Sequence, residues 1–102
     1  MRSRYAAYAL GLVEYVVVTT DPEGPAWGED PDAWREGIER FCRGTRFVGL
    51  QTTAGLIDGD RATVEFRAQL LQAGHDASFA EASTFVMRNG RWLYHDGARL
   101  AS

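Results

Sequence analysis

The stretch Phe79 to Gly97, FAEASTFVMRNGRWLYHDG, most constrains what this chain can fold into. Two alternating runs flank Asn89-Gly90, the dipeptide that supplies the two positive φ values of a type I′ hairpin turn. The first run puts Phe79, Glu81, Ser83, Phe85 and Met87 on one face, and Ala80, Ala82, Thr84, Val86 and Arg88 on the other. The face with two Phe and a Met has more apolar area to remove from water, so it is expected to meet the core. Glu81 and Ser83 then stand among core residues. An ionised carboxylate in such a place needs a partner or a wet cavity.

Upstream, Arg61 to Leu71 alternates, with Val64, Phe66, Ala68 and Leu70 facing in and Thr63, Glu65, Arg67 and Gln69 facing out. Arg46 to Ile57 alternates loosely and ends at the turn signal Asp58-Gly59-Asp60; Gln72 to Ser78, with Gly74-His75-Asp76, is the next turn. Met1 to Thr20 reads as a helix with a stripe of Tyr5, Tyr8, Ala9, Leu12 and Val16, leaving Arg4, Ala7, Gly11 and Glu14 beside it or away from it. The β-branched run Val16 to Thr20 makes a strand the second reading there. Asp21 to Asp32 holds all 3 prolines and reads as a loop. A second helix is predicted from Asp30 as N-cap and Pro31 at the first helical position, with Trp34, Ile38, Phe41 and Cys42 inward and Gly44 as the stop. Two helices followed by four hairpin-connected strands predict an α+β fold: helices on the concave face of a curved antiparallel four-stranded sheet, closing it into a cone.

At 102 residues the chain reads as one domain, large enough to fold without a metal or disulfide. The net charge of −3 with no block of like charges shows no nucleic-acid footprint and no membrane-surface patch. All 11 basic residues are Arg, read as a coding bias rather than as anion binding. The single cysteine, Cys42, excludes an internal disulfide and a thiolate-rich zinc site, and no cofactor is expected. No signal peptide or membrane span is visible, so a cytoplasmic protein is the simplest expectation.

Several motifs occur in a fixed order: the opening MRSRYAAYALGLVEYVVVTTDP, the central FVGL and VEFRA, E-x-S-x-F at Glu81, Ser83 and Phe85, and N-G-x-W-x-Y-x-D-G from Asn89 to Gly97. Together they resemble the bacterial YchJ family, an uncharacterised group whose middle domain looks like nuclear transport factor 2 (NTF2). The resemblance covers nearly the whole chain and implies that cone-shaped, cystatin-like α+β fold. Members commonly carry flanking cysteine-rich segments similar to the zinc-binding tail of the SecA translocation ATPase, which this sequence does not contain. The family also tends to have Trp-His-Pro where this chain has Thr20-Asp21-Pro22.

Glu81 is the sharpest candidate residue. It is read either as a general acid/base or ligand anchor in the cone, or as half of a structural ion pair with Arg4 or Arg2, held by Ser83 or a Tyr hydroxyl. The structural pair is favoured, with Arg4 as the partner. An Arg there lowers the carboxyl pKa, the wrong direction for a base at neutral pH. Trp92, Tyr94, Tyr5, Tyr8 and Tyr15 are read as lining a pocket for a small molecule or as plain core, and both readings stay open. The pocket set is therefore Arg4, Tyr5, Tyr8, Glu81, Ser83, Trp92 and Tyr94, with no metal ligand. His95 and Asp96 cannot pair side by side on a strand, and His75-Asp76 belongs to a turn. Cys42 is read as a packed small hydrophobe. The outer face, with Ala80, Ala82, Thr84, Val86 and Leu93, is either a homodimer contact or a solvated side.

The leading expectation is a non-enzymatic small domain of unknown role, with a cavity open to a small ligand as one option and a dimer through the sheet as another. The alternatives are a small lyase, isomerase or hydrolase working through Glu81 with Tyr94 or Tyr8, and an accessory module that positions zinc-binding tails in longer relatives.

Overall fold

The computed structural model describes residues 2–100. In chain order the elements are α1 (Arg2–Leu10), α2 (Val13–Val18), α3 (Pro31–Gly44), β1 (Thr45–Asp58), β2 (Arg61–Gln72), β3 (His75–Asp76), β4 (Phe79–Arg88) and β5 (Arg91–Arg99). The sheet is antiparallel, ordered β1-β2-β4-β5, with the short β3 also paired to β2. The fold is α+β, with helices packed against one face of this sheet. Among the described residues no helix is long and apolar enough to cross a membrane.

The expected first helix is two helices, and its expected start at Met1 lies outside the described residues. Gly11 adopts φ +70°, a left-handed conformation that ends α1 and that glycine reaches without a Cβ penalty. The chain bends there and folds α2 back against α1. The bend also changes which residues are covered. Ala7, Val16 and Val17 are buried with Ile38 of α3, whereas Ala9 and Leu12 of the expected stripe are exposed. Arg4, expected at the edge of that stripe, is buried.

The second expected helix is present as α3. Asp30 is its N-cap, its carboxylate accepting from the N–H groups of Asp32 and Ala33, and Pro31 opens the first turn. Ile38 is buried, Trp34 and Cys42 are half-buried, and Phe41 is exposed enough to form part of a cavity wall.

The hairpin signal also holds: Asn89 (φ 52°) and Gly90 (φ 77°) join β4 to β5. A second turn of the same kind sits at Ala73 (φ 52°) and Gly74 (φ 78°), inside the expected Gln72 to Ser78 turn but tighter than it, and so His75-Asp76 is a strand fragment paired to β2 rather than part of the turn. On β2, Phe66, Ala68 and Leu70 are buried as the alternation predicts, and they form a second core cluster with Tyr5, Phe47, Leu50 and Phe79. The outward residues Ala80, Ala82, Thr84 and Leu93 are half-buried, and Val86 is buried.

One irregularity matters for the site. The β4–β5 register shifts between Thr84↔Asp96 and Phe85↔Tyr94, leaving His95 as a bulged residue. The backbone of β5 also meets the chain after α2, where Tyr94 N–H donates to Thr19 O and Asp21 N–H donates to Tyr94 O.

Candidate functional site

Between α1, α3 and the inner face of the sheet lies a partly open cavity of about 830 Å³. Its walls are mostly apolar and aromatic, with Phe41 and Phe47 on one side and Phe66, Leu70 and Phe79 on another. Its polar groups are few: Arg4, Tyr5 and Tyr8 from α1, Glu81 from β4, and Tyr94 and Arg99 from β5, with Gln72 at the end of β2. Few polar groups on an apolar wall is the usual composition of a small-molecule site.

Strand register brings the carboxylate and the phenol together. Glu81 lies opposite Phe66 on β2 and Arg99 on β5, while Ser83 lies opposite Gly97. Glu81 Oε2 accepts hydrogen bonds from Ser83 Oγ (2.6 Å) and Tyr94 OH (3.0 Å). A Cβ at position 97 would collide with both the Tyr94 hydroxyl and the Glu81 carboxylate, so glycine there is what lets the two groups meet. Burial, then the Glu81 charge and its hydrogen bond, push the Tyr94 phenol well above its ordinary range. Tyr94 is thus a protonated donor at neutral pH. Tyr8 is raised for the same first reason, burial, with the neighbouring Arg4 charge opposing it.

The expected ion pair between Glu81 and Arg4 is not formed. Among the described residues Glu81 has no Arg or His nitrogen within salt-bridge distance. The bend at Gly11 explains why. It carries the end of α2 to Arg4, whose Nη1 donates to Val16 O (3.1 Å), Thr19 Oγ1 (2.7 Å) and Thr20 Oγ1 (3.2 Å). A cation against the last carbonyls of a helix is in a favourable field. The same guanidinium sits 4.6 Å from the centroid of the Tyr94 ring, so Tyr94 touches both Arg4 and Glu81. Burial lowers the Arg4 pKa, with the surrounding tyrosines acting the other way. Arg99, directly across from Glu81, lays its guanidinium over the Phe79 ring at 3.8 Å instead of bonding the carboxylate.

The remaining pocket residues divide between places. Tyr5 and Tyr8 line the cavity. Ser83 is fully buried and donates its hydroxyl to Glu81. Trp92 lines a different cavity of about 600 Å³, together with Tyr15, Leu56, Ile57 and Phe85. Arg4 borders both cavities.

A second polar cluster escapes sequence reasoning altogether. Asp21 is 0% exposed. Its carboxylate accepts from Arg88 through Nε (2.8 Å) and Nη2 (3.1 Å) and from the Glu23 N–H (3.0 Å), and it bonds His95 Nδ1 at 2.9 Å. The cover is thin, since Arg88 itself is 38% exposed. The Arg88 hydrogen bonds hold the Asp21 carboxyl far below its ordinary range against the opposing effect of burial, and His95 adds to the lowering. His95 reaches Asp21 because the bulge turns it toward the loop, and Gly24 leaves room for its ring. The only sequence signal here was the Thr20-Asp21-Pro22 triplet. Asp76, at the end of β3, accepts from the Ser78 N–H (2.9 Å), a local role. Cys42 is half-buried, and burial pushes its thiol up. Among the described residues no cluster of three or more His, Cys, Asp or Glu is placed to hold a metal.

The family model described as the YchJ middle, NTF2-like domain matches residues 1–97. A UPF0225 protein of Bordetella pertussis is 38% identical over 98 residues, which span 95% of this chain and 67% of that protein. A SEC-C motif containing protein from Rhodopseudomonas palustris has a similar structure, with a TM-score of 0.83 at 35% identity, covering 99% of this chain and 76% of that one. A chain named as an NTF2 variant superposes with a TM-score of 0.78 at 10% identity over 97% of this chain and 91% of that one, a likeness of fold alone.

Proposed function

The chain belongs to the YchJ family as its middle, NTF2-like domain, and from that premise we propose that it binds a small, largely apolar molecule inside the cone without transforming it. One observation carries the reading: an aromatic-walled cavity of about 830 Å³ that holds a carboxylate bonded by two hydroxyls and, among the described residues, by no cation within salt-bridge distance. The volume falls in the range of small-molecule sites, and the few polar groups, with Glu81 and Tyr94 bonded to one another among them, are the means of fixing an orientation.

Binding is tested by titrating small aromatic molecules into the isotopically labelled protein and following its amide spectrum. The expected shifts converge on Tyr8, Phe66, Phe79, Glu81 and Tyr94. Shifts scattered over the outer face, or none at millimolar concentration, would sink the proposal. Gly37 supplies the control. It lies on α3 in the cavity wall, and a Cβ there meets nothing within 4 Å. Gly37→Leu adds a side chain at the cavity wall while improving helix propensity, so it is expected to fold and to lose binding.

A second reading rests on the freedom of Glu81 from any guanidinium. A carboxylate beside a protonated phenol is an acid–base arrangement, with Glu81 taking a proton and Tyr94 bonding the developing charge. Its mark would be turnover of a bound ligand that Glu81→Gln abolishes while binding persists.

A further inference from the structure

We infer that the molecule held in the cone carries an anionic head group, read by Arg99 at one end of the cavity and by the charge of Arg4 deeper in. The inference rests on the ligand-binding reading above and names the class of ligand. Two guanidinium groups border the cavity against one carboxylate. They also differ from it in how far the protein satisfies them. Glu81 Oε2 already receives two hydroxyl donors. Arg4, only 7% exposed, has three neutral oxygens on one of its nitrogens and no carboxylate within salt-bridge distance among the described residues. Arg99 has neither a recorded side-chain acceptor nor an ion pair among the described residues, and it stacks on Phe79. A cation taken out of water without a counter-charge is costly, and a bound anion is the group that offsets it. The whole chain carries −3, so the excess of positive charge at this wall is local and not a property of the molecule at large.

The geometry also says how the head would be held. A guanidinium presents a planar fork that matches a carboxylate with two parallel hydrogen bonds. Arg99, held over the Phe79 ring at 3.8 Å and without an ion pair among the described residues, has its guanidinium positioned at this wall for such a pair. Tyr8 bears a phenol raised by burial, and so adds a protonated donor in the same wall. The apolar body would lie against Phe66, Phe47 and Phe41.

Three probes sharing one ring system separate the charge from the cavity: naphthoate, naphthalenemethanol and naphthylmethylamine, each titrated at neutral pH and low salt. Naphthoate is expected to bind tightest. Arg99→Gln, a change at an exposed position, is expected to weaken naphthoate about tenfold and to leave the alcohol unchanged. Glu81→Gln is expected to tighten naphthoate several-fold, because it removes the like charge. An amine or alcohol that binds as well as the acid, or an acid weakened by Glu81→Gln, overturns the anionic assignment while leaving the cavity as a site. If none of the three binds, the small-molecule reading itself fails and this inference with it.

Discussion

At position 97 the absence of one carbon atom holds the polar end of the cavity together. Any Cβ there enters the space shared by the Tyr94 hydroxyl and the Glu81 carboxylate, neither of which is a freely swinging chain end, since each bonds the other. Gly97→Ala is expected to destabilise the protein by about 1–3 kcal/mol through overpacking, and to drop the Tyr94 phenol toward its ordinary range as its bond to Glu81 breaks. Denaturant unfolding and a tyrosine absorbance titration check the two halves of that expectation. Tyr5 poses the opposite case. Its hydroxyl is buried and has no hydrogen-bond partner among the described residues, although the Gly49 backbone lies beside it, while its ring packs edge-on against Phe47 at 5.4 Å. Tyr5→Phe keeps the ring and removes the unsatisfied group, so it is expected to gain up to about 1 kcal/mol. A loss of stability on that substitution would show that the hydroxyl has a partner in solution.

Between elements, Asp21 is the tether that fixes the connection after α2 to the far hairpin. It joins residues 67 and 74 positions away in sequence, Arg88 and His95. The folded state holds this carboxyl below its ordinary value of 3.8. Its contribution is therefore complete above about pH 4 and is lost as pH falls toward the folded value. Urea midpoints are expected to fall on acidification below about pH 4, and Asp21→Asn is expected to lower the neutral-pH midpoint and flatten that acid limb. An unchanged acid limb in the variant would assign the loss to other carboxylates. This tether also marks where sequence reading stops. Asn89-Gly90, Asp30-Pro31 and the alternation of β2 were legible because each is local: a dihedral, a cap, a period. Gly11 sat within an unbroken helical pattern, and the stripe through Ala9 and Leu12 extrapolated past the bend. The His95 bulge shifts parity by one residue, which no periodicity reports. Glu81 facing inward followed from its strand partners Phe79 and Phe85, but its missing pair with Arg4 depended on where the bend delivered α2.

Across the whole molecule the apolar core is two clusters rather than one. Ala7, Val16, Val17 and Ile38 join the three helices, and Phe66, Ala68 and Leu70 hold the sheet, with the cavity between them. Aromatic contacts bridge them at Phe47 of β1, where Tyr8 stacks at 6.4 Å and Phe41 packs edge-on at 6.0 Å. A protein built this way gives up contacts that a filled interior would make, and Gly37 sharpens the point. It occupies a helix interior where almost any other residue favours the helix more, and nothing crowds its Cβ position. Packing alone therefore gives no reason for glycine at this position, which lies in the cavity wall. Gly37→Leu is expected to raise unfolding stability by about 1 kcal/mol and to weaken the tightest-binding probe at least tenfold. The two readouts must move in opposite directions for the cavity to be the site. A variant that gained stability and kept its affinity would mean that the probe binds elsewhere, and one that lost both would mean that Gly37 is needed by the fold.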